Sequence, residues 1–176
     1  ASGHRSVIEH AVFSIALTNV SVYAEQFFIE SRLASFTVKS RRYVDFSKTG
    51  YYVPAGLDEE SRALYGEYMD TAFSAYGRLL ELDIPKEDAR FVLPYSFYSN
   101  FFCTMNAREL IGVINSIRSG RGRHIAELRD IANQLAEQLA RIFPSVSEEF
   151  SDIAEETPAE EISFAEKISL HCEEKT

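Results

Sequence analysis

Arg32, Lys39, Arg41 and Arg42 stand among small hydroxyls and aromatic rings in the stretch SRLASFTVKSRRYVDF, residues 31–46. A second run, RSGRGRH over residues 118–124, adds Arg118, Arg121 and Arg123. The guanidinium fork matches phosphate and carboxylate geometry, and a hydroxyl such as Ser40 can donate to a phosphate or carbonyl oxygen. The chemistry these residues could do is therefore anion binding. A solvated charged face, with the arginines paired to Glu25, Glu30 or Asp45, would use the same residue types.

Other chemistries find less support. His4, Glu9 and His10 match no metal-ligand spacing, so no metal is expected. Cys103 lies among Phe101, Phe102 and Met105, a setting that raises a thiol's pKa and reads as inert core. There is no G-x-S-x-G elbow, P-loop or G-x-G-x-x-G fingerprint; SGRGRH holds only a G-x-G, with no strand before it. Any reaction would then rest on a bound cofactor, oriented by the protein's cations, hydroxyls and amides.

The elements that must position these groups read as helix-rich α+β. HAVFSIALT alternates Phe13, Ile15 and Leu17 against Ser14, Ala16 and Thr18, which predicts a strand with one buried face. VSVYAEQFFIES reads as a helix with Val22, Gln26 and Ile29 along one side, and GYYVPAG as a connector. Asp58 is the expected N-cap of a helix carrying Leu64, Tyr65, Tyr68, Ala72, Ala75, Tyr76 and Leu79 as its apolar stripe. Asp83 is expected to cap a further helix with Pro85 in its first turn. NARELIGVINSI and IAELRDIANQLAEQLARIF predict the last two helices, the second ending before Pro144.

The 176 residues are 45% hydrophobic and 26% charged, as expected of one soluble globular domain. No apolar run reaches the length of a membrane span, and the first residues lack a signal-peptide apolar core. Cys103 and Cys172 form neither a metal pattern nor a disulfide framework. These features favour a cytoplasmic protein with no membrane partner. The net charge of −9 sits mostly in residues 145–176, which hold ten acids and two lysines. Residues 1–144 are thus read as the domain and 145–176 as an acidic tail that either docks as a short helix or stays mobile. A near-neutral body with an acidic tail opposes nucleic-acid binding.

Five segments, GHRSVIEHAVFSI, ASFTVKSRRYVDF, YYVP, ARFVLPYSFYSNFFCTMNAREL and AELRDIA, together resemble the flavin-dependent thymidylate synthase family in order and separation, over roughly residues 3–135. The resemblance implies a twisted antiparallel sheet flanked by helices, in a homotetramer with flavin sites between subunits. It implies methylation of dUMP to dTMP, with methylenetetrahydrofolate as carbon donor, FAD as hydride carrier and NADPH as reductant.

By the same resemblance, Gly3 and His4 lead to Ser6 as an FAD contact, joined by Arg32, Asn106 and Arg108. Gln26, Ser40, Arg41, Arg42 and Arg90 fall where the family contacts dUMP, and Arg118 where an arginine favours ionisation of the uracil ring. The signature RHRxxSxNExSxR falls on residues 30–42 and matches at Arg32, Ser35, Ser40 and Arg42. It departs at Glu30, Ser31, Thr37 and Val38, removing an Arg and His that meet the flavin and folate region and a Glu that holds flavin and nucleotide. The segment that usually precedes GHRSVIEH in the family is also expected to be missing. A non-catalytic member acting as a nucleotide- or flavin-binding module or partner subunit is the alternative reading.

Overall fold

The computed structural model describes residues 5–150 and residue 152. A short 3-10 segment, Arg5–His10, leads into strand β1 (Val12–Ser21), helix α1 (Val22–Ile29) and strand β2 (Ala34–Val38). A long connector then reaches helix α2 (Glu59–Glu81) and the single turn α3 (Lys86–Ala89), which continues as a 3-10 segment, Arg90–Val92. Strand β3 (Tyr98–Asn106) runs into helix α4 (Ala107–Arg118), and helix α5 (Ala126–Ile142) precedes a last 3-10 segment, Pro144–Glu149.

The sheet has three strands in the order β1-β3-β2, both outer strands antiparallel to β3. Its period-2 pattern sorts the side chains. Phe13 pairs with Met105, Ile15 and Phe36 with Cys103, and Leu17 with Phe101, all on the face that meets the core. Ser14, Thr104, Ser35, Ala16, Phe102 and Thr37 take the opposite face, where Ser14 and Thr104 share a hydroxyl hydrogen bond of 2.9 Å. The amphipathic helices α4 and α5 cover the core face with Leu110, Ile114 and Ile117 from one and Leu128, Ala132 and Leu139 from the other. A second apolar cluster joins Val22, Phe46, Tyr76, Ala89, Leu93 and Phe97, and ties α2 and α3 to the sheet's end.

β1 and α1 meet without a loop because Ser21 is the N-cap. Its Oγ accepts from Ala24 N at 3.0 Å and donates to Glu127 Oε2 at 2.5 Å, while Ser21 N donates to Glu127 Oε1 at 2.6 Å. One carboxylate at the start of α5 thus pins the strand-to-helix corner. Just before it the β1–β3 register shifts between Leu17 and Val20, and Asn19 takes a left-handed φ of 53°, its N–H donating to Asn100 Oδ1 at 2.7 Å.

The predicted strand at β1 and the helices at α1, α2, α4 and α5 are present, and Asp58 caps α2 by accepting from Ser61 N at 2.8 Å. Three details differ. Asp83 does not cap α3; it sits at φ 58° in the turn leaving α2, and Pro85 is the N-cap. The buried side of α1 is Val22, Ala24, Glu25, Phe27 and Phe28, with Gln26 exposed, because the helix is enclosed on more than one side and carries only a weak apolar stripe. On α2 only Met69 and Tyr76 are buried, and Leu64 and Tyr68 of the expected stripe are 52% and 71% exposed. Helix α2 touches the rest of the chain mainly near its middle and C-terminal half, so its stripe is wider than the surface it covers. The first tail residues belong to the core, with Val146 buried and Phe150 packed against it. The expectation of a docked or mobile acidic tail otherwise falls on residues outside the described ones.

Candidate functional site

Glu25 is the one acid on the buried side of α1, and it has no exposed surface. A buried carboxylate requires compensating donors. It receives Arg41 Nη2 at 2.6 Å on Oε1 and the Ser99 hydroxyl on Oε2, and Gln26 Nε2 lies at 3.5 Å from Oε1. Arg41 comes from the loop after β2, and its guanidinium also lies 5.5 Å from the Phe97 ring centre. Its Nε is buried and has no hydrogen-bond partner among the described residues, an orphaned donor. The site predicted for substrate therefore contains a cation held in place by a buried acid.

Next to it, Ser40 Oγ accepts from Arg42 N at 3.3 Å and fixes the turn. Arg42 Nε reaches Glu87 Oε1 of α3 at 3.1 Å, and Glu87 stands one turn before Arg90, whose guanidinium stacks 5.3 Å from the Phe91 ring centre. Gln26, Ser40, Arg41 and Arg42 thus lie on α1 and the loop after β2, and Glu87 ties that loop to α3, which runs into Arg90. Gln26 and Arg41 are joined through Glu25, and Ser40 to Arg42 within the same loop, whereas these contacts do not extend to Arg90, whose guanidinium lies against its neighbour Phe91.

The residues expected to hold the cofactor form a second group. Asn106 is the N-cap of α4, its Oδ1 accepting from Glu109 N at 2.9 Å. Arg108, two residues on, pairs with Glu9 at 2.5 Å, which docks the 3-10 segment containing exposed Ser6 against the start of α4. Backbone donors at the α4 N-terminus, Arg108 and a serine hydroxyl together suit a pyrophosphate. Arg32 stands apart from this group, exposed between α1 and β2 in a hollow of about 430 Å³ that also contains Glu30, Glu109, Ser116 and Arg121. Arg118 closes α4 with its guanidinium over the Phe150 ring at 5.8 Å, and none of these contacts groups it with Gln26, Ser40 or Arg42.

Sequence reasoning missed two acids. Glu127 lines a cleft of about 310 Å³ beside the β1 irregularity, together with Tyr52 and Asp130, and burial first, then the two acids, raise the Tyr52 pKa. Glu25 entered only as a possible surface partner. Its signal was its place in VYAEQFF, an acid one helical turn from Phe28 and Val22. Cys103 is buried, and burial pushes its thiol up to about 11, as expected of an inert core cysteine. No group of three potential metal ligands occurs among the described residues.

Comparison with known proteins covers nearly all of this framework. The family model described as thymidylate synthase complementing protein matches residues 1–145. A flavin-dependent thymidylate synthase of Geobacter sulfurreducens is 39% identical over 113 residues, covering 62% of this chain and 49% of that protein. Flavin-dependent thymidylate synthases of Saccharolobus solfataricus and Pyrococcus abyssi are 32% and 30% identical, covering 81% and 79% of this chain and 55% and 59% of theirs. The chain spans about half the length of the curated relatives it matches. With a family match that runs through every described strand and through helices α1 to α5, the chain belongs to the thymidylate synthase complementing protein family.

Proposed function

We propose that this chain works as a flavin-dependent thymidylate synthase, methylating dUMP to dTMP with methylenetetrahydrofolate as carbon donor, FAD as hydride carrier and NADPH as reductant, in a cytoplasmic homotetramer. The observation that carries the reading is Arg41 held by buried Glu25 beside Gln26 while its Nε still lacks an acceptor among the described residues, with Ser40 and Arg42 in the same loop. A bound phosphate would draw Arg42 away from Glu87, an exchange that costs little because both side chains are about half exposed. Arg90 would reach the same phosphate from the 3-10 segment after α3, and Ser40 would donate its hydroxyl. FAD, when bound, supplies the hydride chemistry that no side chain here can supply. The α4 N-terminus with Asn106, Arg108 and nearby Ser6 would hold its pyrophosphate, and Arg32 would add a cation from the α1–β2 turn. The family resemblance assigns Arg118 to stabilise negative charge on a uracil ring without a covalent bond, a role that requires its guanidinium to leave the Phe150 ring and reach the substrate.

A second reading, a family member that binds nucleotide and flavin without turnover, is favoured by one observation: Glu30, at the first signature position, is an acid engaged with Arg121. The absorbance spectrum of the purified chain, followed by titration with FAD and dUMP, tests the binding shared by both readings. Bound flavin whose spectrum responds to dUMP, with dTMP formed when folate donor and NADPH are added, is the expected result. Binding without dTMP would select the second reading, and a folded sample that binds neither would overturn both.

A further inference from the structure

The SGRGRH motif has a structural role that anion binding at Arg118 does not use. Gly120 and Gly122 bracket Arg121, and each is packed where a side chain would collide. A Cβ on Gly120 would lie 2.7 Å from Ser116 O, and one on Gly122 would lie 3.0 Å from Ile117 Cα and 3.1 Å from the Phe27 ring. The loop is also tied down by Gly122 N donating to Ser116 O at 3.1 Å and Ile125 N to Gly122 O at 3.1 Å. The backbone is thereby pressed onto the end of α4, and Arg121 is delivered over the Phe27 ring, its guanidinium 4.4 Å from the ring centre.

Arg121 stands where two clefts meet. One, of about 390 Å³, is lined by Tyr23, Gln26, Phe27, Glu30, Tyr95 and Arg121. The other is the hollow that contains Arg32, and Glu30 and Arg121 line both. Tyr23 and Tyr95 offer exposed rings to a planar ligand in the first cleft. The Glu30–Arg121 pair that divides the two clefts uses Nη1 and is open to water, the side chains being 57% and 58% exposed. Such a pair contributes little and is easily exchanged, while the guanidinium fork has further N–H donors to offer.

We propose that Arg121 is an anion-binding residue shared by the two clefts, which leaves Glu30 to take a phosphate group of a planar heterocyclic ligand. Phe27 and the two glycines hold the guanidinium in place, and Glu30 is the internal competitor that the incoming phosphate displaces. The inference rests on the flavin and nucleotide reading above, since FAD and dUMP are the two candidate sources of that phosphate.

The full chain, as wild type, Arg121→Gln, Arg121→Lys and Glu30→Gln, is titrated with FAD, dUMP, riboflavin and deoxyuridine. The ligand whose phosphate meets Arg121 should bind about tenfold more weakly to Arg121→Gln, with a smaller loss in Arg121→Lys, which keeps the charge without the fork. The corresponding phosphate-free ligand should bind all four proteins alike. Glu30→Gln should tighten the phosphate ligand about threefold, a change of opposite sign that loss of a merely structural ion pair would not produce. Equal affinity of wild type and Arg121→Gln for both FAD and dUMP would overturn the proposal while leaving the flavin and nucleotide reading intact. A wild type that binds neither ligand would overturn that reading, and inorganic pyrophosphate then decides the point: binding weakened by Arg121→Gln supports the anion site, and no binding overturns it.

Discussion

Glu25 shows how a single buried acid can fix a cation in place. Its carboxylate accepts from Arg41 and Ser99 with no solvent exposure, so removing it would leave Arg41 with a charge turned toward a closed space. Glu25→Ala should lower stability by about 3–5 kcal/mol in urea unfolding, whereas replacing both Glu25 and Arg41 by apolar residues should recover much of the loss. A Glu25→Ala protein as stable as wild type would mean that the pair is not buried in solution. Arg42 makes the contrasting case, since its partner Glu87 is half exposed. Arg42→Ala should leave the fold intact and weaken dUMP binding by about 1.5–3 kcal/mol in calorimetric titration, while Arg62→Ala on exposed α2 should leave it unchanged. Cys103 adds a pH dependence. Its thiol stays protonated to about 11 in the fold and ionises near 9.0 when unfolded, so the folded state gains nothing from ionisation between those values. Stability is full below pH 9 and should fall as pH rises from there toward 11, with the raised Tyr51, Tyr52 and Tyr76 acting in the same direction. Urea midpoints at pH 8 and pH 10 check the sign, and Cys103→Ala should flatten the slope.

Among the elements, what could be read in the chain followed how locally each signal is written. The alternation in β1, the Asp58 cap and the apolar stripes of α4 and α5 are local patterns, and each element stands where its pattern lies. β2 and β3 were not read as strands, because Ala34, Phe36 and Val38 hide inside a cation-rich segment and β3 follows a Pro- and Tyr-rich turn. The grouping of Gln26 with Arg41 could be reached only through the family resemblance, since α1 and the loop after β2 meet through the buried Glu25 carboxylate. Glu25 carries a mark in its place within VYAEQFF, whereas Glu87 and Glu9 carry none, because an exposed acid's use is set by what packs beside it. Asn106 joins the two levels, as the N-cap the structure places before α4 and as a candidate FAD contact. Asn106→Ala should cost about 0.5–2 kcal/mol of stability, and Asn106→Asp should keep the cap and hence most of that stability. If Asn106 also meets FAD, the Asp variant should still bind flavin more weakly, because it places an added negative charge beside an anionic pyrophosphate. Wild-type flavin affinity in a stable Asn106→Asp protein would assign Asn106 to the cap alone.

For the whole molecule, a three-stranded sheet that the described residues cover on one face leaves apolar surface exposed among them. Phe102 lies at the centre of the open face between its register partners Ala16 and Thr37 and is 62% exposed. A hollow of about 280 Å³ beside it lies where Ala16, Thr18, Thr37, Lys39 and Asn100 surround Phe102. Helix α2 adds Leu64 and Tyr68 to the exposed apolar total. The proposed homotetramer gives this surface an occupant, and burying one Phe completely stabilises an assembly by about 1.5–3 kcal/mol per subunit. Phe102→Ser should therefore shift the mass measured by light scattering from four chains toward fewer at concentrations where wild type stays assembled, with the monomer's circular dichroism unchanged. If flavin sites lie between subunits, bound FAD should be lost in step with the mass as either protein is diluted. A Phe102→Ser protein that stays tetrameric through the same dilution would place the contacts elsewhere, with the α2 face of Leu64 and Tyr68 next to be altered. FAD that stays bound to a dissociated chain would confine the flavin site to one subunit, built from the start of α4 and the segment that Glu9 docks against it.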